Sequence, residues 1–447
     1  MDTIVAVSTP PGRSAIGVVR LSGPASLEIL RALVQQDQFA PAPNRVVLKS
    51  LLVDDSVLDR CLVTYFQAPH SFTGEDMVEI SCHGSPVVLR QLIDLIQSQD
   101  ARLAEPGEFT LRSCRNGKMN LSQAEAIRDL INAQTQAAAV QATRQLGGEL
   151  AQALQPGKRE LVRMIVILES AIEFVEDDLP AIQLDEIKES IDRLSADVSS
   201  LAETYQAGHL LRDGIRVAIA GRPNVGKSSL FNRLLRFERA IVTDVAGTTR
   251  DSLTESISLQ GIPVSLTDTA GFREAGDKIE AIGIERTRRA MADADFLVVV
   301  IDGSCLLQDE DQEILKASKE QLFVVAINKT DLPQLIDEES LNGAKVVHVS
   351  ALTHEGIPEL TAAILRPFVS LDSANVGLLI TDSRHHDLLT RAKSSLAAAA
   401  GSMAQGAGEE IVVADLHNAL RFLGAITGET TSEEILGEIF STFCIGK

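Results

Sequence analysis

Over its first 118 residues the chain alternates short apolar runs with polar breaks, and TIVAVS, AIGVVRLS, NRVVLKSLLV, RCLVTYF and MVEISC read as β-strands. Two intervening stretches, PASLEILRALV and SPVVLRQLIDLI, repeat apolar residues at three- and four-residue steps and predict helices. This mixture predicts an α+β domain. The pattern changes at Leu121. SQAE, from Ser122 to Glu125, has capping-box spacing and predicts a long alanine-rich helix ending near Gly147 and Gly148. A second helix is expected after Pro156 and Gly157, with Leu161, Ile165, Leu168, Ile172 and Val175 as its buried seam. EDDLP at 176–180 should break it, and a third amphipathic helix is expected from about Asp185 to Ala207. From Ile215 to about Pro367 the pattern becomes strand, glycine-rich loop, helix, repeated, which predicts a doubly wound α/β domain. Helical periodicity returns from Thr381 to the end, and AAAAGSMAQGAGEE near residue 400 is expected as a small-residue loop. The domain limits that follow are 1–118, 119–213, 214–370 and 371–447, with the α/β segment inserted into a helical domain.

Composition narrows the function classes. At 447 residues, with 45% hydrophobic and 23% charged positions, the chain can bury several cores and is not of disordered type. Its formal net charge of −21 argues against a broad basic face, so any nucleic-acid contact is expected to be local or shared with a partner. With no Trp and two Tyr, an aromatic stacking platform for bases is not expected. The five cysteines (Cys61, Cys82, Cys114, Cys305, Cys444) form neither a disulfide framework nor a CxxC zinc motif, and Cys82-His83 lacks further ligands at useful spacing. The N-terminal MDTIVAVSTPPGRSA does not read as a secretory signal. No apolar run approaches the roughly 20 residues of a membrane span. FLVVVI is expected as a buried strand, and the chain as cytoplasmic with no membrane association.

The strongest chemistry lies in the α/β segment. GRPNVGKSSL follows the strand IRVAIA and opens a helix, the context a phosphate-binding loop requires. Gly221 and Gly226 let the backbone wrap phosphates, with Asn224, Val225 and Ser229 completing the loop's contact surface. Lys227 would reach the β- and γ-phosphates, and Ser228 would take a Mg²⁺ coordination position. Asp268, ending IPVSLTD, could hold Mg²⁺ through water. In the DTAG run with Thr269 and Ala270, Gly271 frees an N–H for the γ-phosphate. Asn328, Lys329 and Asp331 of NKTD follow the strand LFVVAI. Asp331 can accept both N–H donors of guanine's edge, and Lys329 would lay its stem along the base. Ser350 and Ala351, in VSAL, supply the last base contact through the backbone. Thr249, in the run Thr243, Asp244, Val245, Ala246, Gly247, Thr248, Thr249, is placed to close on Mg²⁺. Four motifs in order make GTP the expected nucleotide.

Phe272 follows DTAG where many such domains carry a glutamine that orients the attacking water. Asn224 could face a monovalent cation, with backbone carbonyls of IVTDVAGTT beside it. A K⁺ there would put positive charge where other GTPases use an arginine finger, worth about 10³–10⁵ in rate. Glu280, in KIEAIGIERT, is the candidate for holding the water at a distance; spacing alone equally fits a solvated helix face.

These motifs, with DTAGFREAGDKIEAIGIERT, the N-terminal TPPGRSAIGVVRLSGP, SFTGEDMVEISCHG and PGEFTLRS, and the terminal FCIGK, resemble the MnmE (TrmE) family of bacterial tRNA-modification GTPases over essentially the whole chain. The resemblance implies a multidomain fold: an α+β N-terminal folate-binding domain that also dimerises, a discontinuous α-helical domain, and an inserted Ras-like α/β P-loop GTPase domain. It implies K⁺ held by Asn224, Thr243, Val245 and Thr248, Mg²⁺ by Ser228 and Thr249, and Glu280 as the catalytic glutamate. It implies Arg20, Glu79, Lys118 and Lys447 as contacts to a reduced folate, 5-formyl- or 5,10-methylene-tetrahydrofolate. Charge type alone would leave these four as scattered surface residues. Cys444 would lie beside that folate, as a nucleophile or general acid toward a uracil ring, or as a small apolar residue under the tail. Asn120 stands where the family's aspartate is expected, and Cys114 where an aromatic is common.

The expected function is therefore GTP hydrolysis in a homodimer that joins an FAD-containing MnmG-like protein in a hetero-oligomer. Together they would add an aminomethyl-type (carboxymethylaminomethyl) group to carbon five of the wobble uridine of certain tRNAs. The rival is a GTP-controlled ribosome-assembly or RNA-chaperone switch with no modification chemistry.

Overall fold

The computed structural model describes residues 2–54, 56–173, 181–237, 254–268, 289–341, 343–368 and 377–446. They belong to two compact units, Met1–Arg128 with Gly424–Lys447, and Asp129–Leu423. Among the described residues no helix is long and apolar enough to cross a membrane.

In the first unit, β1 (Thr3–Val7), β2 (Ile16–Ser22), β3 (Val46–Val53), β4 (Ser56–Phe66), β5 (Met77–His83) and β6 (Ala101–Leu103) form one sheet in the order β3-β4-β5-β2-β1-β6. Only β6 pairs in parallel, with β1. Alternation along the strands gives the sheet two apolar faces. Val5, Val19, Leu21, Val63 and Ile80 meet α1 (Ser26–Val34) and α2 (Pro86–Gln97) through Ile29, Leu30, Leu92 and Ile96. Ile4, Ala6 and Met77 face the other way, against Phe109 of α3 (Glu108–Arg115). The chain's last helix, Glu433–Ser441, packs Phe440 on Leu121 and Ala124 at the start of α4 (Leu121–Asn132), and Phe443 follows it into the same cluster.

A charged network locks α3 to the sheet. The Arg112 guanidinium, 8% exposed, pairs with Glu108 at 2.9 Å, Glu75 at 3.1 Å and Asp2 at 2.7 Å. Arg102 takes Glu108 from the other side at 2.6 Å. Burial raises the pKa of Glu108, but hydrogen bonds from Arg102, the Glu105 N–H and Arg112 more than offset this and hold its carboxyl below the usual range.

The helical segments correct several expectations. The long helix after residue 121 is two helices, α4 and α5 (Gln136–Leu146), because Thr135 caps the second by accepting the Ala138 N–H at 3.2 Å. The capping box at the start of α4 is Asn120 and Gln123, not Ser122 and Glu125. Asn120 Oδ1 accepts the Gln123 N–H at 2.9 Å and Gln123 Oε1 accepts the Asn120 N–H at 3.0 Å, while Ser122 lies buried inside the helix. The next helix, α6 (Glu149–Glu173), begins well before Pro156 and runs through it. Burying Leu150 and Leu154 is worth about 1.5–3 kcal/mol each, which matches or exceeds the ~3 kcal/mol of a helical proline. Gly157 serves the packing: a Cβ there would stand 2.6 Å from Leu194 Cδ1 of α7 (Ala181–Glu203). The third helix likewise ends sooner than expected, with α8 (Tyr205–Asp213) following it. Ala397 to Ala404 are not a loop but the end of helix Ser383–Ala404, where Leu396 and Ala399 are fully buried. Arg212 of α8 ties both crossings into the α/β part, pairing with Asp382 at 2.7 Å and Asp129 at 3.3 Å. Burial raises the pKa of Asp382, but the His385 ring and Arg212 outweigh that and hold it at about 2.

The α/β part carries β7 (Ile215–Ala220), β8 (Thr254–Leu259), β9 (Ile262–Asp268), β10 (Phe296–Asp302), β11 (Phe323–Asn328) and β12 (Val346–His348), in the order β12-β11-β10-β7-β9-β8. Only β8 is antiparallel. Leu230 and Leu234 of α9 (Lys227–Phe237) and Leu360 of helix Ile357–Leu365 pack on one face, with Leu315 of helix Asp309–Ser318 on the other. The order reverses direction at β7 and β10, so the ends of β7, β10 and β11 open onto one crevice, the usual place for a ligand in such sheets.

Candidate nucleotide site

The loop between β7 and α9 has a backbone only certain residues tolerate. Gly226 has φ +97°, and a Cβ on it would collide with Asn328 Nδ2. Asn224 has φ 64°, the left-handed region that asparagine enters more readily than most residues. The structure thus supplies a backbone reason for Asn224 independent of any cation. Lys227, 7% exposed, donates through Nζ to the carbonyls of Gly221 at 2.7 Å and Arg222 at 2.8 Å. Ser228 Oγ donates to Asp268 Oδ2 at 2.7 Å, with Asp268 1% exposed at the end of β9. A hydroxyl beside a carboxylate is a hard-oxygen pair of the kind Mg²⁺ prefers. Among the described residues no group of three or more His, Cys, Asp or Glu could by itself hold a metal.

Next to this loop lies a cavity of about 480 Å³, lined among others by Gly226, Ser229, Asn328, Lys329, Asp331 and Ala351. Asn328, 2% exposed, is its girder. Its Nδ2 donates to Val225 O at 2.8 Å and its Oδ1 accepts the Ala351 N–H at 3.1 Å, joining the phosphate loop to the loop after β12. Ser350 Oγ donates to Asp331 Oδ1 at 2.6 Å, which fixes the carboxylate and leaves Oδ2 for a further donor. Lys329 has φ 68° and pairs with Asp302 Oδ2 at 2.6 Å. Burial raises the Asp302 pKa, and Lys329 and Ser304 pull it below the ordinary value.

Three of these partners escaped the sequence reading. Asp302 had a usable signal, an acid closing the wholly apolar strand FLVVVI. Arg222, in the phosphate loop, pairs with the buried Asp311 at 3.0 Å, and Arg233 of α9 grips the loop after β12; neither belongs to a spacing motif. Thr243, Asp244, Val245, Ala246, Gly247, Thr248, Thr249, Thr269, Ala270, Gly271, Glu280 and Lys447 lie outside the described residues.

In the first unit the structure joins two of the residues implied for folate. Arg20 and Glu79 are cross-strand neighbours on β2 and β5, with Arg20 Nη2 2.7 Å and Nε 2.9 Å from Glu79 Oε1. The Arg20 guanidinium lies 5.6 Å from the Phe72 ring and 5.8 Å from the Phe109 ring. The chain's tail comes to the same place: Gly446 O accepts from Ser8 Oγ at 3.2 Å and from Arg20 Nη1 at 3.5 Å. Lys118, in the turn between α3 and α4, reaches the loop that carries Phe72, its Nζ donating to Pro69 O at 2.9 Å. Cys444 is an exposed free thiol whose carbonyl accepts the Gly107 N–H at 3.4 Å.

Comparison with known proteins gives the family. A family model described as "MnmE helical domain" matches residues 121–444, and one described as "GTP-binding protein TrmE N-terminus" matches residues 3–118. A protein named tRNA modification GTPase MnmE from Koribacter versatilis is 44% identical over 453 residues, covering all of this chain and 99% of that one. Its namesake from Aquifex aeolicus is 43% identical over 450 residues and covers all of both chains. That from Clostridioides difficile is 39% identical over 455 residues, again with all of this chain covered and 99% of the other.

Proposed function

The chain belongs to the family of tRNA modification GTPases named MnmE, and from that membership we propose that it couples GTP hydrolysis to the building of a carboxymethylaminomethyl-type group on carbon five of the wobble uridine. It is a GTP hydrolase acting in tRNA modification. The observation that carries the finer reading is the meeting of Gly446 with Arg20, which itself pairs with Glu79. The C-terminal tail and the cross-strand pair that the family resemblance assigns to one folate lie within hydrogen-bond reach.

At the nucleotide site, Lys227 would meet the β- and γ-phosphates, Asp331 the two donors of the guanine edge, and the Ala351 N–H its carbonyl oxygen. Ser228 and Thr249 would hold Mg²⁺, with Asp268 behind Ser228, and the ion would offset the negative charge of the phosphates. Asn224 and oxygens of Thr243, Val245 and Thr248 would hold K⁺. Glu280 would orient the water, the task for which Phe272 has no polar group. Val225, Gly226, Ser229 and the segments Asp244–Gly247 and Thr269–Gly271 complete the nucleotide's surroundings in this reading.

In the N-terminal domain, 1–118, the Glu79 carboxylate would accept N–H groups of a reduced folate's pterin edge, with Arg20, Lys118 and Lys447 meeting its anionic groups. The folate supplies a one-carbon unit. The helical segments 119–213 and 371–447 would carry motion from the GTPase domain, 214–370, to that site. Two copies would pair through the N-terminal domains, and an FAD-containing partner would bring most of the tRNA-binding surface. A chain of net charge −21 fits such a division of labour in the cytoplasm.

Mass spectrometry of tRNA nucleosides from cells lacking this chain tests the reading. The modified wobble uridine should vanish, return with the wild-type chain, and fail to return with Glu280→Ala. An unchanged nucleoside profile with defective ribosomal particles would instead establish a GTPase switch.

A further inference from the structure

We propose that Arg233 is a positioning residue for base recognition, holding the loop after β12 so that the Ala351 N–H meets the oxygen at the purine's six position. This rests on the base subsite assigned above. Arg233 lies on α9, the helix that starts at the phosphate loop with Lys227. Its Nε donates to Ala351 O at 3.0 Å, its Nη2 to Leu352 O at 3.5 Å, and its Nη1 stands 3.4 Å from His354 Nδ1. The same guanidinium lines the cavity beside Asn328, Asp331 and Ala351.

The geometry pins Ala351 from both sides. Its N–H donates to Asn328 Oδ1 at 3.1 Å, a bond that a bound base oxygen would share or take over, and its carbonyl accepts from Arg233 Nε at 3.0 Å. Those two clamps come from different elements, β11 and α9, so the orientation of the residue is set against both the base-reading strand and the phosphate-loop helix. Apolar burial anchors the start of this loop, where Val349 is fully buried and Ala351 packs on the core, while Leu352 is 74% exposed. Beyond Val349 the polar clamps on the Ala351 peptide groups set its orientation. A planar guanidinium suits the task, since its fixed fork spans two successive carbonyls where a lysine ammonium would reach one. Arg233 therefore contacts the loop that reads the base, and acts on the base through Ala351.

The test compares two ligands on the full-length chain: GDP, and 2-aminopurine riboside 5′-diphosphate, which keeps the phosphates and the two-amino group but lacks the six-position oxygen. Arg233→Gln should weaken GDP about 10-fold, the scale of one well-made hydrogen bond, and leave the analogue's affinity as in the wild type. Arg233→Lys should restore part of the GDP affinity. Equal weakening of both ligands would overturn the proposal, since Arg233 would then act on the helix or the fold as a whole. No change in either would overturn it as well. The underlying subsite is tested separately by Asp331→Asn: if that variant keeps the wild-type affinity for GDP, the base-subsite reading itself fails, whatever Arg233 does.

Discussion

Asp331→Asn is expected to weaken GDP binding on the order of 10²–10⁴-fold and to turn the preference toward xanthosine diphosphate. A carboxylate accepts the N1–H and the two-amino group of guanine together, and each charged hydrogen bond is worth about 1.5–3 kcal/mol. Asparagine keeps one acceptor and turns the other into a donor that faces the amino group. Ser350 Oγ, 2.6 Å from Asp331 Oδ1, selects which atom stays the acceptor, because the serine hydroxyl already donates there. The new Nδ2 is thereby aimed at the base, where xanthine offers an oxygen in place of the amino group. Titration calorimetry with both diphosphates at one Mg²⁺ concentration measures the exchange. A uniform loss for both would mean that Asp331 shapes the loop and does not read the base.

The second large effect concerns stability. Arg112→Ala should destabilise the chain by about 3–5 kcal/mol, because it leaves the buried Glu75 carboxylate without its cation, while Glu108 keeps only Arg102. Glu75 and Glu108 are each only 10% exposed, and Arg112 at 8% exposure is the cation between them. Glu75→Gln in the Arg112→Ala background should recover part of the loss, since the stranded charge is then gone while Glu108 keeps Arg102. Thermal unfolding of the three variants decides this, and a double variant no more stable than the single one would place the damage in lost packing. The pH dependence follows from the depressed pKa of Glu108. Its ordinary value is 4.5 and its folded value lies lower, so the pairing contributes fully above about pH 4.5 and is lost as pH falls through the folded value. The wild-type chain should lose this contribution between neutral and strongly acidic pH, and Arg112→Ala should lose somewhat less, since Arg102 and the Glu105 N–H still hold the Glu108 carboxyl down.

Both predictions stand on residues of different legibility. Asp331 could be read directly, because NKTD after an apolar strand has a short-range pattern and a known chemical purpose. Arg112 could not. As one of three charged residues in EFTLRSCR it resembles a solvated helix face, and only the fold carries Asp2, 110 positions away, to its side. Between these extremes lie the helices. The three- and four-residue steps of α6 were visible, but its start was misplaced because proline looks like a boundary, and the buried Leu150 and Leu154 that carry the helix across it count only once their neighbours are known. The cap of α4 erred by two residues for a related reason. Asn120 and Ser122 are both good caps by type, and the burial of Leu121 against Phe440 and Phe443 decided between them.

By itself, then, the sequence determined what depends on backbone conformation and local periodicity. The glycines of the phosphate loop, the alternating strands, the apolar run FLVVVI and the order of the nucleotide motifs are such features. Their physics acts over a few residues, through allowed dihedral angles and the facing of side chains. The tertiary structure decided what depends on proximity. Lys329 meets Asp302 across 27 positions, Asn328 spans from Val225 to Ala351, Arg20 meets the C-terminal tail, and Arg233 reaches the loop it holds. Hydrogen bonds and ion pairs act over about 3 Å, and no pattern along the chain reports which distant groups the packed cores bring that close.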